Sequence, residues 1–291
     1  MKTPIFTGAC TALVTPFANG KINLHMLEKL LQRQMDAGIG TIVLCGTTGE
    51  SPTLSTKEKL TIFRHAKEYC GNGCTILAGT GSNATRHAME LSQAAEDCGV
   101  DGILVVSPYY NKATEEGLYS HYHSIAASVH IPVILYNVPT RTGVDIPVSV
   151  YARLAEIPNI AGVKEASTDI TKTVRIMAQC PDSFAVWSGN DEMTVPLIAL
   201  GGSGVISVTS NVAPEMMQSM TQQALKGHYK CAMTIQKELL PLMETMFCEV
   251  NPIPVKTAMK LLGYDCGDCR MPLTTLQAHH ERRLKELLSL D

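Results

Sequence analysis

The stretch Ile160-Ala-Gly-Val-Lys164-Glu165-Ala-Ser167 is a short apolar run that ends on a lysine. Burying an ammonium without a partner is costly, so a lysine at the end of a buried strand either pairs with a neighbour or is kept for its chemistry. The neighbour on offer is Glu165 or the following loop. The chemistry on offer is nucleophilic, because desolvation favours the free amine, the form that condenses with a carbonyl to give a Schiff base. The surroundings of the stretch along the chain separate the two readings.

Working outward, seven further apolar runs of strand length accompany it: Cys10-Val14, Thr41-Cys45, Thr75-Ala78, Gly102-Val106, Pro132-Tyr136, Phe184-Trp187 and Gly204-Val208. Most are continuous rather than alternating and rich in Val, Ile and Leu, as parallel strands covered on both faces should be. Helical signals fill the gaps. Asn23 precedes a stripe of Leu24, Leu27, Leu30, Leu31 and Met35, and Ser55 with Glu58 forms a capping box ahead of Ile62, Phe63 and Ala66. Ala88, Leu91, Ala95 and Cys98 form a third stripe stopped by Gly99, and Leu118, Tyr122, Ile125 and Val129 a fourth after Thr114. Pro147 suits a first helical residue, Asp169 a cap for a helix carrying Val174 and Met177, and Asp191 a cap for one ending at Gly201. Pro214 opens the eighth. Eight strand-helix units predict an α/β fold, a (β/α)8 TIM barrel over residues 1–227, with a doubly wound sheet as the alternative. Residues 228–291 read as a C-terminal helical extension, with helices over Lys230-Phe247, Pro254-Leu262 and Leu273-Leu290.

The composition sets limits on function. Of 291 residues, 45% are hydrophobic and 18% charged, and the formal net charge is -3. No basic excess supplies the electrostatic footprint of a nucleic-acid partner, and nothing suggests a membrane role. The ten cysteines read as reduced thiols in a large chain with ample core residues and no convincing secretory signal, which predicts a cytoplasmic protein. The segment from Ile5 to Ala18 is interrupted by threonines and Pro16 and suits a first strand better than a signal peptide.

In a barrel of this kind the active site lies where the strands end at their C-terminal side. Those ends read Gly46-Thr47-Thr48-Gly49-Glu50, Ser107-Pro108-Tyr109-Tyr110-Asn111, Tyr136-Asn137-Val138-Pro139-Thr140-Arg141-Thr142-Gly143, Lys164-Glu165 and Ser188-Gly189-Asn190. Hydroxyls for proton relay, an arginine for a carboxylate and glycine turns thus surround Lys164. Other motifs carry less. Gly79-Thr80-Gly81-Ser82-Asn83-Ala84 matches a relaxed dinucleotide fingerprint, but two strand-helix units precede it and no acidic residue ends the next strand. Gly201-Gly202-Ser203-Gly204 reads as a helix-to-strand turn, and Cys266-Gly-Asp-Cys269 lacks a second pair to complete a metal site. His121 and His123 do not share a helix face, and the methionines follow helical stripes.

Taken together, Gly46-Thr-Thr-Gly-Glu50, Tyr136-Asn-Val-Pro-Thr-Arg141-Thr-Gly143 and Gly162-Val-Lys164-Glu-Ala-Ser167 resemble the motifs of the 4-hydroxy-tetrahydrodipicolinate synthase (dihydrodipicolinate synthase) family. That family belongs to the pyruvate-dependent class I aldolases, which include N-acetylneuraminate lyase. The resemblance runs from about Gly8 to the C-terminal helices. It implies a barrel with a helical C-terminal domain, usually a homotetramer built as a dimer of dimers. The implied activity is condensation of pyruvate with L-aspartate 4-semialdehyde in lysine (diaminopimelate) biosynthesis, without metal or organic cofactor. Lys164 is the implied Schiff-base residue, and Tyr136 the proton donor and acceptor, linked through Thr47 to Tyr110, which reaches into a neighbouring subunit's site. Thr48 is expected to hold the pyruvate carboxylate, Gly189 and Ile206 to line the pocket through their backbones, and Arg141 to meet the carboxylate of the semialdehyde. Arg141 and the Thr47-Thr48 pair favour the synthase over the neuraminate lyases. Another pyruvate aldolase, or a silent keto-acid-binding barrel, stands as the alternative. Ser51, Asn83 and Tyr109 match the lysine-binding cleft of feedback-inhibited members. Lys59 and His87 replace a His and a Glu there, which implies weak or absent inhibition by lysine.

Overall fold

The computed structural model describes residues 3–289. All eight expected strands form, and they close in sequence order into one parallel barrel. The strands are β1 (Gly8–Ala12), β2 (Thr41–Leu44), β3 (Thr75–Gly79), β4 (Gly102–Val106), β5 (Val133–Asn137), β6 (Ile160–Glu165), β7 (Ala185–Ser188) and β8 (Gly204–Ser207). Eight helices cover them: α1 (Leu24–Asp36), α2 (Thr56–Cys70), α3 (Thr85–Asp97), α4 (Glu115–Ala127), α5 (Val148–Leu154), α6 (Ile170–Gln179), α7 (Thr194–Ala199) and α8 (Pro214–Leu225). Three more follow, α9 (Tyr229–Thr245), α10 (Ile253–Leu261) and α11 (Ala278–Leu287).

The caps explain the helix starts. Asn23, Thr114 and Asp169 each accept a hydrogen bond from a backbone N–H one turn in, and the Ser55–Glu58 capping box is reciprocal. Pro147 is the residue before α5 rather than its first, and α11 starts at Ala278, so the expected helix over Leu273–Gln277 is irregular chain. The expected end at Leu290 lies outside the described residues. On α6 the buried face is Lys172, Thr173 and Ile176, and Val174 faces outward. Asp191 is not a cap. It opens a short 3-10 turn, and its Oδ2 accepts from the N–H groups of Val208 and Thr209 and from the Thr209 hydroxyl, tying the end of β7 to the end of β8.

Inside the barrel, Phe6, Cys10, Val43, Leu77, Leu104, Ile134, Trp187 and Ile206 pack as an inner core. Phe6 plugs it from below, its ring stacked on Trp187 at 4.8 Å while its carbonyl accepts from the indole N–H. A second apolar layer lies between strands and helices. A third joins Ala9 and Val205 to Met217, Leu239 and Met243, so α9 shares a core with the barrel wall. Register places Tyr136 beside Lys164 and Lys164 beside Trp187, with Asn137, Glu165 and Ser188 forming the next row. Side chains alternate along a strand, so the first row points into the barrel and the second toward the helices.

Candidate active site

The alternation along β6 settles the position of Lys164. Its side chain is buried at the mouth of the barrel, with Nζ 4.5 Å from the centroid of the Tyr136 ring. No carboxylate among the described residues pairs with it. Glu165 points the other way. One of its oxygens accepts from Asn137 Nδ2 and the Ser167 N–H, both at 2.8 Å, and the other accepts from the Tyr151 hydroxyl. Lys172 completes this buried cluster, held by Asp145 and lying 3.8 Å from Glu165. Burial, with Glu165 beside it, raises Tyr151 well above the usual phenol range, so it donates as a neutral hydroxyl. The cluster braces the ends of β5 and β6 from behind and fixes the rotational setting of Tyr136 and Lys164.

Lys164 faces a cavity of about 170 Å³ whose lining includes Thr47, Thr48, Tyr136, Arg141, Gly189 and Asn251. Gly189 makes room for it: a Cβ there would lie 2.5 Å from that of Ala166 and 3.1 Å from Lys164 Cε. A wider cavity of about 470 Å³ adjoins it, sharing Thr47, Tyr136, Arg141 and Asn251. Ser51, Lys59, His87 and Tyr109 line that outer space, while Asn83 does not and instead accepts from Asn111 through its carbonyl. Burial pushes the Lys59 ammonium below its usual range, and it has no hydrogen-bond or ion-pair partner among the described residues.

The loop after β2 is held by the C-terminal segment. Glu50 is left-handed, with φ 56°, and its buried carboxylate takes Lys256 Nζ at 2.9 Å and the Arg270 N–H at 2.8 Å. Arg270 in turn grips Glu58 and the carbonyl of Thr53. The turn carrying Thr47 and Thr48 is thus stapled to the C-terminal segment. Cys45, Tyr110 and Thr168 are also left-handed, and they too follow strand ends at the mouth. Such backbone costs about 1 kcal/mol or more per residue and is concentrated where side chains must be aimed.

A family model described as the dihydrodipicolinate synthetase family matches residues 5–290. The chain belongs to this family. It is 46% identical to the 4-hydroxy-tetrahydrodipicolinate synthase of Acetivibrio thermocellus over 99% of this chain and 98% of that protein. The crystal structure of dihydrodipicolinate synthase from Aquifex aeolicus superposes with a TM-score of 0.96 at 41% identity, over 98% of this chain and 97% of that one. A structure described as the first monomeric dihydrodipicolinate synthase variant gives 0.95 at 39% identity, over 98% and 96%.

Of the residues expected in a synthetase-family site, Lys164, Tyr136, Thr47, Thr48, Arg141 and Gly189 are brought to one cavity. Two are not. Ile206 packs in the inner core, and the residue on the cavity wall there is Val208, just past the end of β8, whose N–H donates to Asp191. Tyr110 is 91% exposed and lies outside its own chain's cavity. The sequence reading missed Phe247 and Asn251, which reach over the cavity from the chain around the C-terminal helices. Asn251 meets Thr48 across 203 residues of chain, and no local pattern signals such a contact. The Cys266 and Cys269 thiols are pushed up by burial to about 12 and about 11, and no group of three or more metal-binding side chains occurs among the described residues. No helix among them is long and apolar enough to cross a membrane.

Proposed function

We propose that the chain is a Schiff-base lyase that condenses pyruvate with L-aspartate 4-semialdehyde to give 4-hydroxy-tetrahydrodipicolinate, in lysine biosynthesis. The observation that carries the mechanism is a buried lysine amine with no carboxylate partner among the described residues, facing a small polar cavity at the barrel mouth. Lys164 Nζ adds to the pyruvate ketone, and loss of water leaves an iminium. That iminium withdraws electrons from the methyl group, so a proton leaves to give the enamine. The enamine carbon attacks the aldehyde, and the substrate's own amine then closes the ring and displaces Lys164. One water leaves and no electrons are exchanged, so the reaction needs no redox cofactor.

Tyr136, against Lys164, is the group that moves protons at the reacting carbon, with Thr47 beside it on the cavity wall. The Thr48 hydroxyl donates to the pyruvate carboxylate, with the Gly189 backbone across from it and Ile206 in the core behind. Arg141 takes the carboxylate of the semialdehyde. Tyr110 completes the relay from a second subunit. Its 91% exposure supports that role, and we assign a homotetramer, a dimer of dimers, acting in the cytoplasm. In this reading residues 1–227 are the catalytic barrel and 228–291 a helical unit that closes over its mouth.

Borohydride reduction in the presence of pyruvate, followed by peptide mass mapping, tests the central step. A pyruvate-derived adduct is expected on Lys164. An unmodified Lys164 peptide, in enzyme that consumes pyruvate, rules the mechanism out.

A further inference from the structure

The C-terminal chain places one uncommitted hydrogen-bond acceptor in the site. Asn251 is 4% exposed and lines both the inner and the outer cavity. Its Nδ2 donates to Thr48 Oγ1 at 3.0 Å, and its backbone carbonyl accepts from Arg141 Nη2 at 3.4 Å. Its Oδ1 is buried and has no partner among the described residues. Leaving a buried acceptor unpaired is costly, and such an atom in a binding cavity marks a place where a ligand supplies the donor.

The chemistry of Thr48 fixes which way the amide faces. A threonine hydroxyl has a single proton. If that proton is spent on a carboxylate, the oxygen must accept from Asn251, so Nδ2 faces Thr48 and Oδ1 faces away. Charge bears on the choice of donor. Among the described residues Glu50 is the one acidic residue in either lining, and both of its oxygens are taken, by Lys256 and by the Arg270 N–H. A ligand ammonium in this space has no free carboxylate to meet and needs a neutral acceptor. An α-amino acid carries carboxylate and ammonium on the same carbon, so the acceptor must stand next to the group that holds the carboxylate. Asn251 touches Arg141.

We infer that Asn251 is a specificity-determining residue whose Oδ1 accepts from the α-ammonium of the second substrate, selecting an amino aldehyde over an unsubstituted one. This rests on the function proposed above. It predicts a penalty for an aldehyde lacking the amine beyond the loss of ring closure, and that added part depends on Asn251, because a site built to bind an N–H rejects the analogue without it.

The test compares kcat/KM for L-aspartate 4-semialdehyde with that for succinate semialdehyde, its desamino analogue, at saturating pyruvate, scored by pyruvate consumed, with water hydrolysing the desamino adduct from Lys164 where the amine would displace it. The unsubstituted enzyme should prefer the amino aldehyde. Asn251→Ala should lower its kcat/KM by about 10- to 100-fold while changing that of the desamino aldehyde by no more than about threefold. Borohydride trapping of pyruvate on Lys164 should be intact. Asn251→Asp keeps an oxygen acceptor and should retain the preference, and it carries the test if the alanine variant does not fold. Equal losses on both aldehydes with trapping intact, or loss of the preference in Asn251→Asp, overturn the assignment of Asn251 alone. No turnover of either aldehyde by the unsubstituted enzyme overturns the proposed function and this inference with it.

Discussion

Lys164 and Lys256 are both buried lysines in contact with an aromatic ring, 4.5 Å from that of Tyr136 and 4.4 Å from that of Phe17. They differ in what else they meet. Lys256 donates to Glu50 at 2.9 Å and to the Asp268 carbonyl at 3.1 Å, sealed from solvent on both sides. Lys164 meets a cavity and, among the described residues, no carboxylate. A paired lysine is spent on architecture, here the fastening of the Thr47-Thr48 turn to the C-terminal segment. An unpaired one keeps its amine for a substrate.

Replacing each lysine by methionine should pull the two roles apart. Lys164→Met removes the nucleophile, and turnover should fall by at least about four orders of magnitude, with no borohydride-trapped adduct. Stability should change by less than about 1 kcal/mol, since no partner is abandoned. Lys256→Met should do the opposite. It strands the Glu50 carboxylate in the interior, and denaturant unfolding should report a loss of about 3–5 kcal/mol. If Lys164→Met proves the more destabilising of the two, the contrast between them is false.

His121 extends the comparison to a titratable group with half a partner. Its Nδ1 meets the Thr85 hydroxyl at 2.9 Å, but Nε2 is buried and unpaired, and burial pushes the imidazole down to about 4. The folded chain therefore binds fewer protons here than the unfolded chain, whose imidazole titrates near its ordinary value. The stability linked to this group is present above the unfolded value and lost as pH falls through about 4. Its size is at most about 3 kcal/mol. His121→Gln should flatten the stability profile over that window, and an unchanged acid limb would mean that other groups dominate it.

What the sequence could show follows from the range of the forces involved. The barrel was legible because strands buried on both faces must be continuous apolar runs, and the caps at Asn23, Ser55, Thr114 and Asp169 act within one turn. Asp191 has the same residue type before a helix, yet its carboxylate bonds across the barrel to Val208 and Thr209, a choice made by tertiary packing. The small hairpin of Phe17–Ala18 and Lys21–Ile22 escaped for the same reason, since its first strand is held by the Cys266 carbonyl. In the site, residues on strand ends were readable from position alone. Asn251 and Phe247 were not, because they arrive from a segment whose own pattern is helical and loop-like.

Arg141 divides the two half-reactions. It sits on the single turn Pro139–Thr142 on the wall of the Lys164 cavity, and its one side-chain hydrogen bond among the described residues is a 3.4 Å contact to the Asn251 carbonyl. Arg141→Ala should leave pyruvate trapping on Lys164 intact and lower kcat/KM for the semialdehyde by about 100-fold, as expected for loss of a charge-assisted pair. Equal loss of trapping and condensation would refute its role as the anchor of the second substrate alone.

Lys59 too is a buried lysine with no carboxylate partner among the described residues. Want of a partner alone does not make a nucleophile. Lys59 stands on α2 and lines the outer cavity with His87, Ser51 and Tyr109, and it is not on the wall of the inner space that Lys164 faces. A cation there repels another ammonium, and His87 offers no negative charge to offset it. Sub-millimolar L-lysine should therefore leave the condensation rate essentially unchanged. Lys59→Glu should create a measurable response by reversing the sign of the field. Half-inhibition of the unsubstituted enzyme at sub-millimolar lysine would show that the cleft finds the effector's charge another partner.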